Sequence, residues 1–162
     1  MCNEVLLNST LTEIFRSTNL SYAMELLYHM HKYIEGSTKR ISTSLIVLID
    51  RFISLTFEEQ YSFSKDLLYR FFSCWKEVDL DKFVKYANNI FTNKDIPYVK
   101  VIDKFIGNKD EKSSIKYVNM FMDIFSPAKK AIIDRVSKDS EVQKSRTVRL
   151  LLSSFDAHNQ EI

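Results

Sequence analysis

The chain of 162 residues holds only two glycines, two prolines and two cysteines. Glycine and proline supply the unusual or fixed φ angles of tight turns, so a chain this poor in both has few of them. Long helices joined by short polar links are the expected solution. Scarce glycine also excludes the Gly-rich loops that cradle phosphates in the common nucleotide sites. There is no Gly-x-Ser-x-Gly elbow and no His-Glu-x-x-His zinc motif. Cys2 and Cys74 do not make a disulfide framework, which points to a reducing compartment. The longest strongly apolar run, Leu45 to Ile49, falls far short of the ~20 residues a membrane span needs. The first residues, with Glu4 and a short Val5-Leu6-Leu7 run, lack a signal-peptide layout. A cytosolic or nuclear protein with no membrane association is expected.

What is present is a core. Hydrophobic residues make up 45% and aromatics 13%, too many for a disordered chain and enough for one domain. A single helical domain over 1–155 is expected, with 156–162 a frayed C-terminus. Charges nearly cancel: 23 basic against 21 acidic, net +2, which announces no nucleic-acid binding by itself. Their placement is uneven. Residues 1–35 carry two basic against four acidic side chains, net −2, and residues 127–162 carry seven against five, net +2.

Apolar residues recur at helical spacing almost throughout, and no run alternates apolar with polar long enough to suggest a strand. The first helix spans about Glu4 to Arg16. A second follows Ser21 as cap, with Tyr22, Leu26, Leu27, Met30 and Ile34 inward and Gly36 at its end. The third, about Arg40 to Leu55, carries Leu45, Leu48, Ile49, Phe52 and Ile53. Thr56 and Glu59 stand at capping-box spacing before a long fourth helix, Phe57 to Lys76. Asp79 can cap a fifth with Leu80, Phe83, Val84, Ala87, Ile90 and Phe91. Pro97 opens a sixth, which Gly107 ends. A seventh carries Ile115, Val118, Phe121, Met122 and Phe125. Ser126-Pro127 opens an eighth with Ile132, Ile133 and Val136. The ninth, about Ser140 to Ser154, has Val142, Val148, Leu151, Leu152 and Phe155. The sum is an all-α fold: an antiparallel helical array of about eight or nine helices, an irregular α-α superhelix of HEAT-like period or a compact bundle.

Candidate chemistry is sparse. His29 and His31, two apart on a helix, point to different sides and cannot share one metal ion from there. Cys74, beside Trp75, reads as a core residue rather than a nucleophile. Asp79 with Asp81, and Glu58 with Glu59, read as cap and helix-end residues rather than catalytic pairs. No catalysis, cofactor, metal or small-molecule substrate is expected. The Phe and Tyr rings fall on the apolar stripes, so core packing outweighs base stacking. Lys39, Arg40, Lys129, Lys130, Lys144, Arg146 and Arg149 are the candidates for contact with an RNA backbone or a partner. Arg146 and Arg149 are i,i+3 neighbours that can meet one backbone together.

One stretch resembles a known family. In Leu67-Leu68-Tyr69-Arg70-Phe71-Phe72-Ser73-Cys74-Trp75, an aromatic helix containing Trp is followed by Leu80-Asp81-Lys82-Phe83. This order is similar to the eukaryotic nucleolar ribosomal-RNA-processing protein one family, whose next helix opens on Arg-Leu-Asp-Lys-Phe; here Asp79 replaces the Arg. Leu26-Leu27-Tyr28-His29-Met30 and the turn Glu35 to Lys39 stand where that family has Leu-Phe-Tyr-Cys-Met and a short turn. Tyr117 to Phe125 and Ser137-Lys138-Asp139 echo later segments. The family's Trp-Lys-Gly is Ala23-Met24-Glu25 here, and its long charged tail has no counterpart. The resemblance implies a non-enzymatic nucleolar assembly factor. Its partners would be the large-subunit pre-ribosomal particle, both assembly-factor proteins and pre-rRNA. Two other roles fit the bare sequence: a generic α-solenoid adaptor that binds a peptide or partner helix, and an apoptosis-regulator-like helical bundle.

Overall fold

The computed structural model describes residues 2–33, 41–107, 110–139 and 145–160. Among these there is no strand, and the expected all-α helical array is what they form. Ten α-helices follow in order: α1 (Cys2–Ser17), α2 (Leu20–Tyr33), α3 (Ser42–Ile53), α4 (Phe57–Gln60), α5 (Lys65–Val78), α6 (Leu80–Thr92), α7 (Tyr98–Ile106), α8 (Glu111–Ile124), α9 (Lys129–Ser137) and α10 (Arg146–Gln160). A single 3-10 turn, Ser126–Ala128, leads into α9. The chain divides into two compact units, Met1–Phe83 and Val84–Ile162, and α6 begins in the first and ends in the second.

In the first unit, α1 packs on α3, and α2 packs on α3 and α5. The α1–α3 crossing is polar at its centre. Ser44, fully buried, donates to the Asn8 carbonyl at 2.8 Å and meets Thr12 Oγ1 at 3.0 Å. Small hydroxyl side chains let two helices approach closely, and their hydrogen bonds are satisfied locally. The centre of the unit is aromatic. Phe52, Phe71, Phe72, Trp75 and Phe83 are buried and stack edge-on or tilted, as with Trp75 and Phe83 at 5.4 Å between centroids. Such arrangements set the positive ring edge against a negative ring face and add to the gain from burial. Buried Cys74 is part of this core, as expected.

The second unit repeats the solution. Phe91, Phe105, Phe121 and Phe125 form its centre, with Phe121 and Phe125 stacked at 4.7 Å. α7 packs on α8 and on α10. Tyr98, buried at the start of α7, donates its hydroxyl to Asp139 Oδ2 at 3.1 Å, while the Arg135 guanidinium lies 4.9 Å from the ring centre. Burial and the neighbouring Asp139 carboxylate push the Tyr98 hydroxyl up to about 12.

Several caps fall where the sequence put them. Thr56 and Glu59 form the capping box of α4. Asp79 Oδ1 accepts from the Lys82 N–H at 3.2 Å at the start of α6, and Gly107 follows α7. Other details differ. The expected long helix Phe57–Lys76 is two helices: α4 ends after one turn, and Ser64 caps α5 by accepting from the Leu67 N–H. The backbone is extended at Ser64, which starts α5 afresh. Gln60, at the end of α4, turns its side chain into the core and donates to the Phe52 carbonyl of α3 at 3.0 Å. The cap of α2 is Asn19 rather than Ser21, with the Ser21 N–H donating to Asn19 Oδ1 at 2.9 Å. α10 runs on to Gln160, past the Asp156 where fraying was expected.

Five apolar residues assigned inward, Tyr22, Ile53, Leu80, Ile115 and Ile133, are exposed instead. Four of them, all but Leu80, lie about 100° around the helix from an adjacent residue that takes the buried position, as Ser114 does beside Ile115. A helix at a core boundary buries only part of its circumference, so a broad apolar stripe leaves one edge in solvent. The expected Ile34 and Gly36 positions, and the start of the ninth helix at 140–144, lie outside the described residues.

Candidate functional site

The Leu80-Asp81-Lys82-Phe83 segment forms the first turn of α6, directly after the Asp79 cap. Its four side chains divide. Phe83 is fully buried, 5.8 Å from Phe72 and 5.4 Å from Trp75 between ring centres. Lys82 crosses to α3 and meets Asp50, Nζ to Oδ1 at 2.7 Å. Leu80, 49% exposed, and Asp81 face solvent. One residue of the segment thus anchors the turn, one ties it to α3, and two remain presented on the surface.

Beside this junction, Arg51 closes the end of α1. Its Nη1 donates to the Phe15 carbonyl at 2.6 Å and the Thr18 carbonyl at 2.7 Å. The last carbonyls of a helix have no partner within it, and a guanidinium satisfies them while complementing the negative end of the dipole. Nothing in the sequence marks Arg51 for this task, because the two ends of the contact are more than thirty residues apart.

His31 is likewise structural. His31 Nδ1 lies 2.9 Å from Arg70 Nη1, joining α2 to α5, and the Arg70 guanidinium is 5.4 Å from the Tyr28 ring centre. A guanidinium can only donate, so the imidazole accepts and is neutral there. Burial, then the Arg70 charge, lowers the His31 pKa below its ordinary value, against a smaller upward pull from Glu77. Among the described residues no group of His, Cys, Asp or Glu is placed to hold a metal ion.

Of the predicted basic contacts, Lys39, Arg40 and Lys144 lie outside the described residues. The other four separate into two places. Arg146 and Arg149 are exposed on the first turns of α10, where the Val148 N–H points to the Ser145 hydroxyl and Thr147 donates to the Asp103 carboxylate of α7. Lys129 and Lys130 begin α9, and Lys129 Nζ lies 5.4 Å from the ring of Phe155. Phe155 is six and nine residues beyond the two arginines. At ~1.5 Å per residue the two basic groups are therefore ~9–14 Å apart along α10. Arg146 and Arg149 can share one backbone, as their spacing implied, but Lys129 belongs to a different surface.

That surface is a cleft of about 470 Å³ lined by Asn119, Phe121, Met122, Asp123, Phe125, Ser126, Lys129, Ile132 and Phe155. No local sequence signal marks it, since its walls come from three helices. A second concavity, about 550 Å³, runs along Arg16, Leu20, Val47, Asp50, Arg51, Ser54 and Leu55 in the first unit. Charge also divides between the units: residues 1–83 hold 9 basic and 11 acidic side chains, net −2, and residues 84–162 hold 14 and 10, net +4. Every phenylalanine except Phe57 is buried, so these rings are core and offer no stacking platform for bases. No family model, curated protein or solved structure matches this chain.

Proposed function

We propose that the chain is a non-enzymatic assembly factor of the large ribosomal subunit precursor, acting in the nucleolus as a scaffold for pre-rRNA processing. The observation that carries this reading is the order of residues from Leu67 to Phe83, a Trp-bearing aromatic helix followed by Leu-Asp-Lys-Phe, which resembles the ribosomal-RNA-processing protein one family. Two features are compatible with it. Leu80 and Asp81 of that segment are presented to solvent, where a protein partner can meet them. The excess positive charge of residues 84–162, with Arg146 and Arg149 exposed, suits contact with an RNA backbone, which is sequence-independent and salt-sensitive.

The test is affinity purification of the tagged protein from its own cells at moderate salt, followed by gradient sedimentation and sequencing of the associated RNA. Co-sedimentation with large-subunit precursors that carry unprocessed spacer RNA is the expected result. Migration as a small particle free of pre-rRNA overturns the proposal and leaves a peptide- or helix-binding adaptor in its place.

A further inference from the structure

Of the chain's two prolines, Pro97 follows Ile96 and Pro127 follows Ser126, so Ser126-Pro127 is the one place where a hydroxyl residue precedes proline. Lys129 and Lys130 come next but one, at the third and fourth positions after the serine. A serine followed by proline, with a basic residue three positions on, is the pattern that proline-directed protein kinases of the cyclin-dependent class select. Proline offers the enzyme a ring and no N–H, and the lysine offers a charge that an acidic kinase surface can read.

The fold brings this pattern to the surface. Ser126 opens the 3-10 turn Ser126–Ala128 between α8 and α9 and is exposed, as is Lys130, while Pro127 and Lys129 are half-buried. The Ser126 hydroxyl donates to the Asp123 carbonyl at 3.2 Å, long for a contact of this kind and easily given up. A kinase takes its acceptor in an extended segment, so the turn has to open. The Ala128 N–H leaves the Phe125 carbonyl, now 2.9 Å away, and the Lys129 N–H leaves the Ser126 carbonyl. Phe125 and Ala128 are buried, so this local opening costs free energy and slows the reaction without moving it elsewhere.

We infer that Ser126 is a phosphorylation site, the acceptor for a proline-directed kinase that uses ATP. Ser126 Oγ attacks the γ-phosphorus, the bond from that phosphorus to the bridging oxygen of the leaving ADP breaks, and the hydroxyl proton passes to the catalytic aspartate of the kinase. The serine then carries about two negative charges at neutral pH. They stand just before α9, whose first turn holds Lys129 and Lys130 and no acidic residue, and there they complement the positive end of the helix. Asp123, three residues earlier, opposes them with a single carboxylate. The charge of residues 84–162 falls from +4 to about +2. The drop weakens contact with a polyanion, so the site regulates the RNA contact proposed above; that consequence rests on the ribosomal reading, whereas the assignment of the acceptor does not.

The experiment treats the purified full chain with a cyclin-dependent kinase and ATP and maps the phosphate by fragmentation mass spectrometry. A peptide of residues 120–133 serves as the control for kinase activity. The expected result is one phosphoryl group per chain, on Ser126, entering more slowly than it enters the peptide. Ser126→Ala and Pro127→Ala should abolish it, and Lys129→Gln should slow it by about tenfold. Should a variant unfold, the map of the unmutated chain decides alone. The same map on protein purified from its own cells should show phosphate on Ser126. A full chain left unmodified while the peptide is consumed overturns the inference. So does phosphate confined to other serines or threonines, incorporation indifferent to Pro127→Ala, or an unmodified Ser126 in the cellular protein. A chain phosphorylated at Ser126 that sediments free of pre-rRNA sinks the ribosomal proposal and leaves this one standing.

Discussion

Lys82 reaches from the first turn of α6 to Asp50 on α3, with 2.7 Å between ammonium and carboxylate. The two side chains remain 42% and 59% exposed, so water screens the pair and its contribution to stability is small. A double-mutant cycle on Lys82→Ala and Asp50→Ala, read by denaturant unfolding, should give a coupling below about 1 kcal/mol. A coupling several times larger would falsify the view that this contact orients the turn more than it stabilises it.

Phe83, one residue on, should behave differently. It is fully buried against Phe72 and Trp75, so Phe83→Ala leaves a cavity among aromatic rings and should cost about 3–5 kcal/mol. Phe83→Leu should recover part of that. Chemical denaturation of the three proteins checks the ranking.

Arg51 satisfies two carbonyls at the end of α1 that no other described hydrogen bond closes from α3. Arg51→Met keeps much of the apolar stem but removes both donors, and should lower stability by about 1–3 kcal/mol. Arg51→Lys should fall between, since an ammonium lacks the planar fork of the guanidinium. Hydrogen exchange focused on the last turn of α1 would show the loss locally; uniform protection in Arg51→Met would contradict this role.

Gly107 is required for closeness rather than for an unusual backbone angle. A Cβ placed there would stand 2.4 Å from the Asp103 carbonyl oxygen, which is backbone and cannot swing away. Gly107→Ala should therefore lower the unfolding midpoint, at a cost of about 1–3 kcal/mol. Because Asp103 also receives the Thr147 hydroxyl, the disturbance should spread to the start of α10, visible as faster amide exchange there.

His31 supplies a pH dependence with a definite sign. Its pKa in the fold lies below the ordinary value of 6.5, so the folded chain prefers the neutral ring that accepts from Arg70. The unfolded chain then binds protons first as pH falls, and stability at this site is complete above about 6.5 and declines below it until the folded-state pKa is passed. His31→Gln should flatten the stability profile between neutral pH and the carboxylate range. An unchanged profile would mean the ring is not held in its accepting form.

Periodicity and caps were legible in the sequence because they are local. The 3.6-residue recurrence of apolar positions, the Thr56–Glu59 box, Asp79 before α6, Pro127 before α9 and Gly107 after α7 each act within a turn or two of the chain, and each stands where expected. The same logic placed Phe52, Trp75, Phe83 and Phe121 in cores. The α4–α5 break escaped because Gln60 has good helix propensity and nothing in its local pattern shows that its side chain bonds to the Phe52 carbonyl at the end of α3.

Which edge of each apolar stripe is buried was a tertiary decision. Ile115 and Ser114 carry opposite preferences by residue type, yet the packing of α8 puts the serine inside, where its hydroxyl bonds to the Asp110 carbonyl. The basic residues show the same limit. Sequence spacing paired Arg146 with Arg149, a relation internal to one helix, and could not show that Lys129 sits at the far end of α10 beside Phe155. A helix fixes the neighbours three and four residues away, while the rotation and seating of one helix on another follow from how the side chains of both fill the space between them.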